Sequence, residues 1–497
     1  KCMRKRTSMA LSALLMSVSL MMSACGQNPD TVGAAAGSIE TTETADNESK
    51  DAVTYEASGD NEHALAADGE TVSYDNIIVN QTGNGDGDEA DFYGENAAVF
   101  ATNKADMTIK NATITSDGSH ANAVFSYGEG TKLAISDSTI HTTSNNSGGI
   151  MVTGGGSLDA DNLTVDTKGG SSAPIRSDRG GGTMNVTGGT YSSYGKGSPA
   201  VYSTADINVS NATLYADVSE GIVVEGANSV TLNDVDVTAK HTAHNSDKSD
   251  HYQAVMIYQS MSGDADEGKA SFNMKGGSLT SQNGGLFFVN NTVAMIGLED
   301  VKMTNASDDL LTVAAAGWGK EGSNGGQVTL NAVKQDLDGV ITVDDISTLN
   351  LLLGKDSNFS GSVDGKGEVY VELKDGAKWV LTGDSAISSL TCDADSIDLN
   401  GFTLTVDGKE YEAGTASTGT RIEVKETRGK GTHPEKPGGD GAGKPDGGPN
   451  GNPPEGQGGN PPEKPDGNPP EKPEGAPDGN PPEKPSGNPP AKPGESE

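Results

Sequence analysis

A short motif with a turn residue at its fifth position recurs along the middle of the chain. Residues 107–114 read MTIKNATI, residues 133–140 read LAISDSTI and residues 207–214 read INVSNATL. The turn position always holds Asn, Asp or Gly, which adopt a left-handed backbone most readily; these residues are Asn76, Asn111, Asp137, Asn162, Gly188, Asn211, Asp234, Gly276 and Asp300. The usual spacing is 23 to 26 residues, and two longer gaps of 35 and 42 residues imply insertions. A unit that bends at the same point at a near-constant period predicts a solenoid.

A second apolar column follows each motif and predicts a further strand. Its members are Phe125, Met151, Ile175, Val201, Val223, Met256, Phe287 and Leu311. Because apolar residues alternate with other residues, we interpret both stretches as strands and this column as core-facing. The next residue in each strand should then point outward: Ser126, Val152, Arg176, Tyr202, Val224, Ile257, Phe288 and Thr312. A unit of about 25 residues cannot bury an apolar face alone, but stacked copies bury a continuous one.

The repeat resembles the right-handed parallel β-helix of the pectin-lyase-like superfamily, over about residues 67–425. It is most similar to the adhesin-like members found on bacterial surface lipoproteins. The resemblance implies an all-β fold, with parallel coils over 67–347 and C-terminal coils and a cap over 348–425. It leaves the activity open, because this fold serves lyases, hydrolases, adhesins and passive stalks.

Both ends of the chain differ from the repeat. A basic segment, Arg4–Arg6, precedes an apolar run and the sequence Met-Ser-Ala-Cys-Gly, which resembles a bacterial lipobox with Cys25 as the lipidated residue. We therefore expect a signal peptide over 1–25, a flexible disordered tether over 26–66 and a lipid anchor on the outer face of a bacterial membrane, exposed to the extracellular side. Residues 426–497 repeat Asn-Pro-Pro-Glu-Lys-Pro and predict an extended Pro- and Gly-rich tail.

The charge of the chain restricts its partners. The formal net charge is −37, and between residues 7 and 420 the only arginines are Arg176 and Arg179. Such a chain repels the phosphates of nucleic acids, and it repels an acidic polysaccharide unless a divalent cation bridges the two. We expect partners among extracellular polysaccharides, host or cell-surface glycans and proteins, and a protein that acts as a monomer.

The two arginines allow three interpretations. In the first, Arg176 pairs with Asp178 and Arg179 bonds backbone carbonyls, so the segment is a structural corner. In the second, Arg176, Asp178 and Arg179 contact a ligand. In the third, Arg176 is the base of a lyase, which requires outward carboxylates on the neighbouring coils; the predicted outward column contains none.

The predicted outward column is unusually apolar for a surface. Tyr202 and Phe288 are its aromatic members. Either the insertions near 241–251 and 314–326 cover this strip, or the strip is exposed and binds a partner or stacks on sugar rings. Under the second alternative, Tyr202 and Phe288 are candidate ligand contacts.

Two polar segments are candidate metal sites. Asn84, Asp86, Asp88 and Glu95 match the first, third, fifth and twelfth positions of an EF-hand calcium loop, although Glu89 occupies the position that needs Gly. Calcium is therefore the candidate cofactor, and a solvated acidic loop is the alternative. In the longest insertion, His241, His244 and His251 gather with Asp247 and Asp250 and could ligate zinc. The alternative there is a polar loop.

Taken together, these features predict a lipid-anchored, non-catalytic surface protein that acts as an adhesin or binds carbohydrate. A polysaccharide lyase or glycoside hydrolase of the same fold is the first alternative. A structural spacer that holds other groups away from the membrane is the second.

Overall fold

A computed structural model describes residues 51–424, which form long stacked sheets of mostly parallel strands and one short helix, α1 (Gly87–Tyr93). The first nineteen strands are β1 Val53–Ala57, β2 Leu65–Asp68, β3 Thr71–Gln81, β4 Val99–Thr102, β5 Asp106–Ser116, β6 Val124–Tyr127, β7 Lys132–Ser136, β8 Thr139–Thr142, β9 Ile150–Thr153, β10 Gly156–Asp161, β11 Thr164–Thr167, β12 Ile175–Ser177, β13 Gly182–Thr187, β14 Thr190–Ser193, β15 Val201–Ser203, β16 Asp206–Ser210, β17 Thr213–Ala216, β18 Ile222–Glu225 and β19 Ser229–Asn233. The remaining strands are β20 Asp236–Ala239, β21 Gln253–Tyr258, β22 Lys269–Lys275, β23 Ser278–Ser281, β24 Gly285–Asn290, β25 Val293–Glu299, β26 Lys302–Thr304, β27 Asp309–Val313, β28 Gln327–Val333, β29 Asp336–Val343, β30 Thr348–Leu353, β31 Asn358–Gly365, β32 Glu368–Leu373, β33 Lys378–Leu381, β34 Ser385–Ile387, β35 Ser389–Thr391, β36 Ile397–Asp398, β37 Leu404–Val406 and β38 Lys409–Glu410.

Each strand pairs with its counterpart one repeat later, as a β-helix solenoid requires. In the first sheet, β7, β10, β13, β16 and β19 pair in succession, and β8, β11, β14, β17 and β20 do the same beside them. In the second sheet, β9, β12, β15, β18, β21 and β24 form one parallel ladder. From β7 onward the motif spans two strands, whereas in the first two coils it lies within one longer strand, β3 or β5; a typical coil has three strands.

The turn residues are where the sequence predicted them. All nine have a positive φ, between 49° at Asp137 and 66° at Gly276. This backbone conformation bends the first sheet between its two strands, and it is costly for residues other than Gly, Asn and Asp. The recurring motif thus marks a real corner in every coil.

The core lies between the sheets as columns of stacked apolar side chains. One column of the first sheet runs through Met107, Leu133, Leu158, Met184, Ile207, Val230, Phe272, Ile296, Leu330, Leu351 and Val371, which are register partners from coil to coil. All of them are buried in one continuous cluster. Burial of such side chains contributes roughly 1.5–3 kcal/mol each, and this makes the stack the main source of stability.

The second sheet corrects part of the predicted orientation. Ile175, Val201, Phe287 and Leu311 face the core as expected. Phe125, Met151, Val223 and Met256 do not; they lie outside it in two separate apolar clusters. Val152, Val224 and Ile257, expected outside, face the core. The register partners of Arg176 are Met151 and Tyr202, and that of Tyr202 on the next coil is Val223. Because both faces of these strands are apolar, alternation could not fix which face points inward.

The ordered part of the chain begins earlier than expected. Strand β1, at Val53–Ala57, pairs in parallel with β3 although it lies in the predicted tether. Parallel pairing also continues beyond residue 347, from β28 to β30 and β32. Cys25, the signal peptide and the tail from residue 426 lie outside the described residues. Within residues 51–424, no helix is long and apolar enough to cross a membrane.

The last described segment packs back across the final coils. Asn350 exchanges two hydrogen bonds with the backbone of Ile422, at 3.1 and 3.0 Å. Arg421 Nη2 lies 2.7 Å from Glu372 Oε1, and Lys374 Nζ lies 3.0 Å from Glu372 Oε2. Although burial favours the neutral carboxyl, the hydrogen bonds from Arg421 and Lys374 lower the pKa of Glu372 to about 2. These contacts hold the end of the described chain on the first sheet.

Candidate ligand-binding groove

The outer face of the second sheet carries a strip of large side chains. Arg176, Tyr202, Val223, Met256 and Phe288 are register partners on β12, β15, β18, β21 and β24. The last three form an apolar cluster outside the core, with Tyr202, Tyr258 and Trp318 packed against it. The sequence predicted an apolar outward strip here, but Val223 and Met256 build it, not Val224 and Ile257.

The chain's own insertions cover part of this strip. The His251 ring stacks on Phe288 with centroids 4.6 Å apart, and Trp318 packs edge-on against Tyr258 at 5.2 Å. Phe288 is left only 1% exposed, so it supports the surface from below and does not reach a ligand. Tyr202, Tyr258 and Trp318 stay half-buried. The loops therefore cover Phe288, whereas Tyr202, Tyr258 and Trp318 remain partly exposed, so both alternatives hold in part.

A groove runs along this face in two connected parts. Both parts share Gly197, Pro199, Tyr202, Asn245 and Tyr258, which form the middle of the groove. We call the part around Arg176 and Asp178 the arginine end; its volume is about 270 Å³. We call the part around His241 and Glu220 the histidine end; its volume is about 80 Å³.

At the arginine end, Arg176 and Asp178 form the local pair that the sequence allowed. Arg176 Nη2 donates to Asp178 Oδ2 at 3.1 Å, and Nη1 donates to the Ser171 carbonyl at 3.2 Å. Both side chains are buried. Burial raises the pKa of Asp178 to about 7, although the Arg176 charge opposes this. Asp178 thus titrates near neutral pH inside the groove.

Arg179 has a different role from the one expected of a corner residue. Its Nε donates to Asp264 Oδ1 at 2.9 Å, and its Nη1 lies 3.6 Å from Asp88 Oδ2. The guanidinium also stacks on Phe92, 3.7 Å from the ring centroid. The expectation that it bonds backbone carbonyls is wrong, because insertions from two other parts of the chain fold over it and supply carboxylates. Arg179 fastens α1 and the loop at 259–268 to the sheet.

The wall formed by α1 is fixed to the coils behind it. Asp91 Oδ1 lies 2.8 Å from His120 Nδ1, and Asp91 Oδ2 accepts from Asn146 Nδ2 at 3.1 Å. Thr153 Oγ1 donates to the Phe92 carbonyl at 2.7 Å. These contacts place Asp91, Phe92 and Asn146 on the rim of the arginine end.

A buried carboxylate that the sequence analysis missed is bonded to Tyr202, which lies in the middle of the groove. Glu225 accepts from the Tyr202 hydroxyl at 2.5 Å and from the Ser260 hydroxyl. Burial raises its pKa. Glu225 lies two residues after Val223 on the same strand, so the correct register would have predicted its outward position. No periodic signal marks Asp264, which comes from an insertion.

The histidine end has a buried carboxylate of its own, also missed from the sequence. Glu220 accepts from Ser219 Oγ at 2.6 Å and from Gln253 Nε2 at 3.0 Å. His241 Nδ1 accepts from the Gln253 backbone N–H at 3.0 Å, and His241 Nε2 lies 3.7 Å from Glu220 Oε1. His244 stacks on Tyr252 with centroids 3.9 Å apart. The histidine side chains are thus used in packing and hydrogen bonds.

The structure does not assemble the predicted metal sites. Part of the candidate calcium loop folds as α1, and Asn84 Oδ1 accepts from the backbone and hydroxyl of Ser119. Asp86 precedes the helix, and Asp88 faces Arg179. Between residues 51 and 424, no group of three or more His, Cys, Asp or Glu side chains could hold a metal ion. Asp86, Asp88 and Glu95 therefore do not form such a group, and neither do His241, His244 and His251.

Comparison with known proteins adds no further constraint. No protein-family model, no curated protein and no solved structure matches this chain. The chemistry of the groove must therefore be argued from its own residues. It combines half-buried aromatic faces, polar rims and buried carboxylates, and both of its arginines are already engaged by carboxylates.

Proposed function

We propose that this protein is a lipid-anchored surface protein that binds carbohydrate in the groove, without catalysis, as an adhesin does. The observation that carries the proposal is a cluster of half-buried aromatic side chains, Tyr202 and Tyr258 on the parallel second sheet and Trp318 on the insertion that packs against it. The lipobox at Cys25 supports the anchor, and the coil repeat supports a right-handed β-helix of the pectin-lyase-like type.

Aromatic faces between polar rims suit the chemistry of a sugar ring. A pyranose has an apolar C–H face, which packs on an aromatic ring, and hydroxyl groups around its edge, which need hydrogen-bond partners. Pockets that bind small ligands share this composition of an apolar lining and a few placed polar groups. Asn146, Asn245 and Ser249 supply such groups on the rims. Since the sheet is already ordered, binding there costs little conformational entropy.

The charges of the groove favour neutral over acidic sugars. It is lined by the carboxylates Asp91, Asp178, Glu220 and Asp264, and the Glu225 carboxylate lies behind the Tyr202 hydroxyl that it bonds. Its arginines, Arg176 and Arg179, face Asp178 and Asp264 and are not free to pair with a uronate. Like charges placed together suppress binding. We therefore expect glycans without carboxylates.

One observation supports glycoside hydrolysis as a second candidate. A glycosidase needs a carboxyl that stays protonated near neutral pH, together with a second carboxylate. Asp178 has a pKa of about 7, and Asp264 is close enough to raise it. Release of new reducing ends from a bound neutral glycan, lost in Asp178→Asn, would favour this candidate.

The binding proposal is tested on immobilised neutral and uronate glycans with the full chain made in a cytosol, where Cys25 stays unmodified. Retention on neutral glycans should fall at least about tenfold in Trp318→Ala, because the stacking surface is lost. The matched control is Tyr194→Ala, which removes an exposed aromatic ring that packs on Tyr215 of the first sheet. Equal retention of both variants would refute a role for the groove. Incorporation of labelled fatty acid, lost in Cys25→Ala, tests the anchor.

A further inference from the structure

Glu220 at the histidine end is a buried carboxylate without a strong cationic partner. Glu220 is 8% exposed. Over residues 51–424, the only ion-pair partner within 4 Å is His241, at 3.7 Å. His241 Nδ1 faces the Gln253 backbone, 3.0 Å from its nitrogen and 3.1 Å from its carbonyl oxygen, and the 3.7 Å between His241 Nε2 and Glu220 Oε1 is too long for a hydrogen bond. Within residues 51–424 no lysine or arginine pairs with Glu220, and burying a carboxylate without such a partner is costly, so this end of the groove suits a cationic group.

A second buried acceptor lies beside Glu220. Gln253 is 3% exposed and lines the same cavity. Its Nε2 donates to Glu220 at 3.0 Å, which fixes the orientation of the amide. Its Oε1 has no hydrogen-bond partner among the described residues. A buried amide oxygen rarely remains unpaired, and this one has room for a donor from beyond the described residues.

Three aromatic side chains also line this cavity. Tyr202, Tyr258 and Trp318 line it together with Glu220 and Gln253. Aromatic faces attract cations. The volume of about 80 Å³ exceeds the roughly 10–15 Å³ that a single water needs. A group larger than water, which donates hydrogen bonds and carries positive charge, fits these walls.

We infer that the histidine end binds the primary ammonium group of an amino sugar, with Glu220 and Gln253 as its acceptors. This inference rests on the proposed function, because the sugar ring that carries the ammonium lies along the middle of the groove. An ammonium group has three donors and no acceptor, which matches the walls. An N-acetylated sugar presents one donor and a carbonyl, and it leaves the Glu220 charge unbalanced.

The test uses three pentasaccharides with the same β-1,4 linkage and length: chitosan pentamer, chitin pentamer and cellopentaose. Affinity of the full chain is measured by isothermal titration calorimetry, which needs no residue of the groove as a reporter. At 0.3 M salt, which screens nonspecific attraction to this acidic chain, chitosan pentamer should bind at least about tenfold more tightly than cellopentaose. Glu220→Gln should remove this preference and leave cellopentaose within about twofold.

The matched control is Glu368→Gln, which removes one exposed negative charge from β32 on the first sheet. It should keep the full preference for chitosan pentamer. Equal losses in both Glu variants would overturn the inference, because the preference would then come from overall charge. If Glu220→Gln does not fold, wild-type affinity is measured over chitosans of graded N-acetylation and should fall as acetylation rises; a flat profile would overturn the inference.

The outcomes separate this inference from the proposed function. Binding of chitin pentamer and cellopentaose that is lost in Trp318→Ala, without a preference for chitosan, would overturn the ammonium site and keep carbohydrate binding. Loss of every pentasaccharide signal would overturn both. Trilysine bound as tightly as a chitosan trimer would also overturn the inference, because the site would then recognise amines of peptides. Lys248 Nζ lies 5.9 Å from the Trp318 ring centroid. Its positive charge opposes a bound ammonium group, so weaker chitosan binding in Lys248→Met would contradict the inference.

Discussion

Asp178 should make the stability of this protein fall as the pH rises through neutrality. Its carboxyl is 4% exposed, and burial raises its pKa from 3.8 to about 7 despite the bond from Arg176. The folded state therefore holds the Asp178 proton more tightly than the unfolded chain does. The resulting stability is fully present below the unfolded pKa and is lost as the pH rises through the folded pKa.

The size of the effect follows from the shift. Each pKa unit corresponds to about 1.4 kcal/mol, so a shift of about three units represents about 4 kcal/mol in total. Between pH 5 and pH 8, about 3 kcal/mol of this should be lost. Asp178→Asn, which mimics the neutral carboxyl, lacks this loss. The stability difference between Asp178→Asn and wild type should therefore grow by about 3 kcal/mol from pH 5 to pH 8, in favour of the variant.

Chemical denaturation of both proteins at pH 5, 6, 7 and 8 measures the effect, followed by the fluorescence of Trp318 beside the groove. Glu225 also has a raised pKa, but it is present in both proteins, so the difference between them isolates Asp178. Parallel pH profiles would refute the reasoning, since they would mean that Asp178 is ionised at pH 5 or that its charge is paired without cost. A difference that instead shifts in favour of the wild type toward pH 8 would show that the Arg176 pair dominates over burial.

Three further substitutions test the coil core and the close approaches between coils. Ile175→Asp should lower the free energy of unfolding by at least about 4 kcal/mol, measured by denaturant titration, because it places an unpaired charge in the core column; a wild-type midpoint would contradict the inward position. Gly149→Ala should cost about 1–3 kcal/mol in the same titration, because a Cβ there would lie 2.5 Å from the Pro174 carbonyl oxygen, whereas Gly354→Ala, whose nearest contacts are at 3.4 Å, should cost far less. Trp379→Phe should lower the thermal midpoint by an amount equivalent to about 2 kcal/mol, since it removes the 3.0 Å bond from Trp379 Nε1 to the Gly361 carbonyl; an unchanged midpoint would mean that this bond adds no stability.

The fold could be predicted from the sequence because one feature of each coil has a strict stereochemical requirement. Few residues tolerate the positive φ of the corner, so Asn111 or Asp137 identifies its position in the coil without an alignment. The orientation of the second sheet could not be predicted in the same way. On β18 and β21, Val223 and Met256 are as apolar as their core-facing neighbours, and only the packing of the loops distinguishes the two faces.

Only part of the groove could be predicted from the sequence. Arg176, Asp178 and Tyr202 were identified because arginine is rare in this chain and because tyrosine stood in an outward position. Glu220 and Asp264 were not, since their roles depend on residues far away in the chain. Arg179 and Asp264, for example, are 85 positions apart and meet only because the insertion after β21 folds back over three coils. The metal interpretations relied on local spacing and did not anticipate that α1 would form.

The division between coils and insertions has a consequence for how such a protein can change. The ladder from coil to coil is held by the paired strands and core columns, whereas the groove is closed by segments at 240–252, 259–268 and 314–326 that lie outside the strands of the ladder. The segments that shape the groove can therefore vary without a change in the coils. Exchange of one such segment between homologous solenoids can redirect the protein to a new surface while every coil keeps its register, in the way that antibody loops vary on a constant framework.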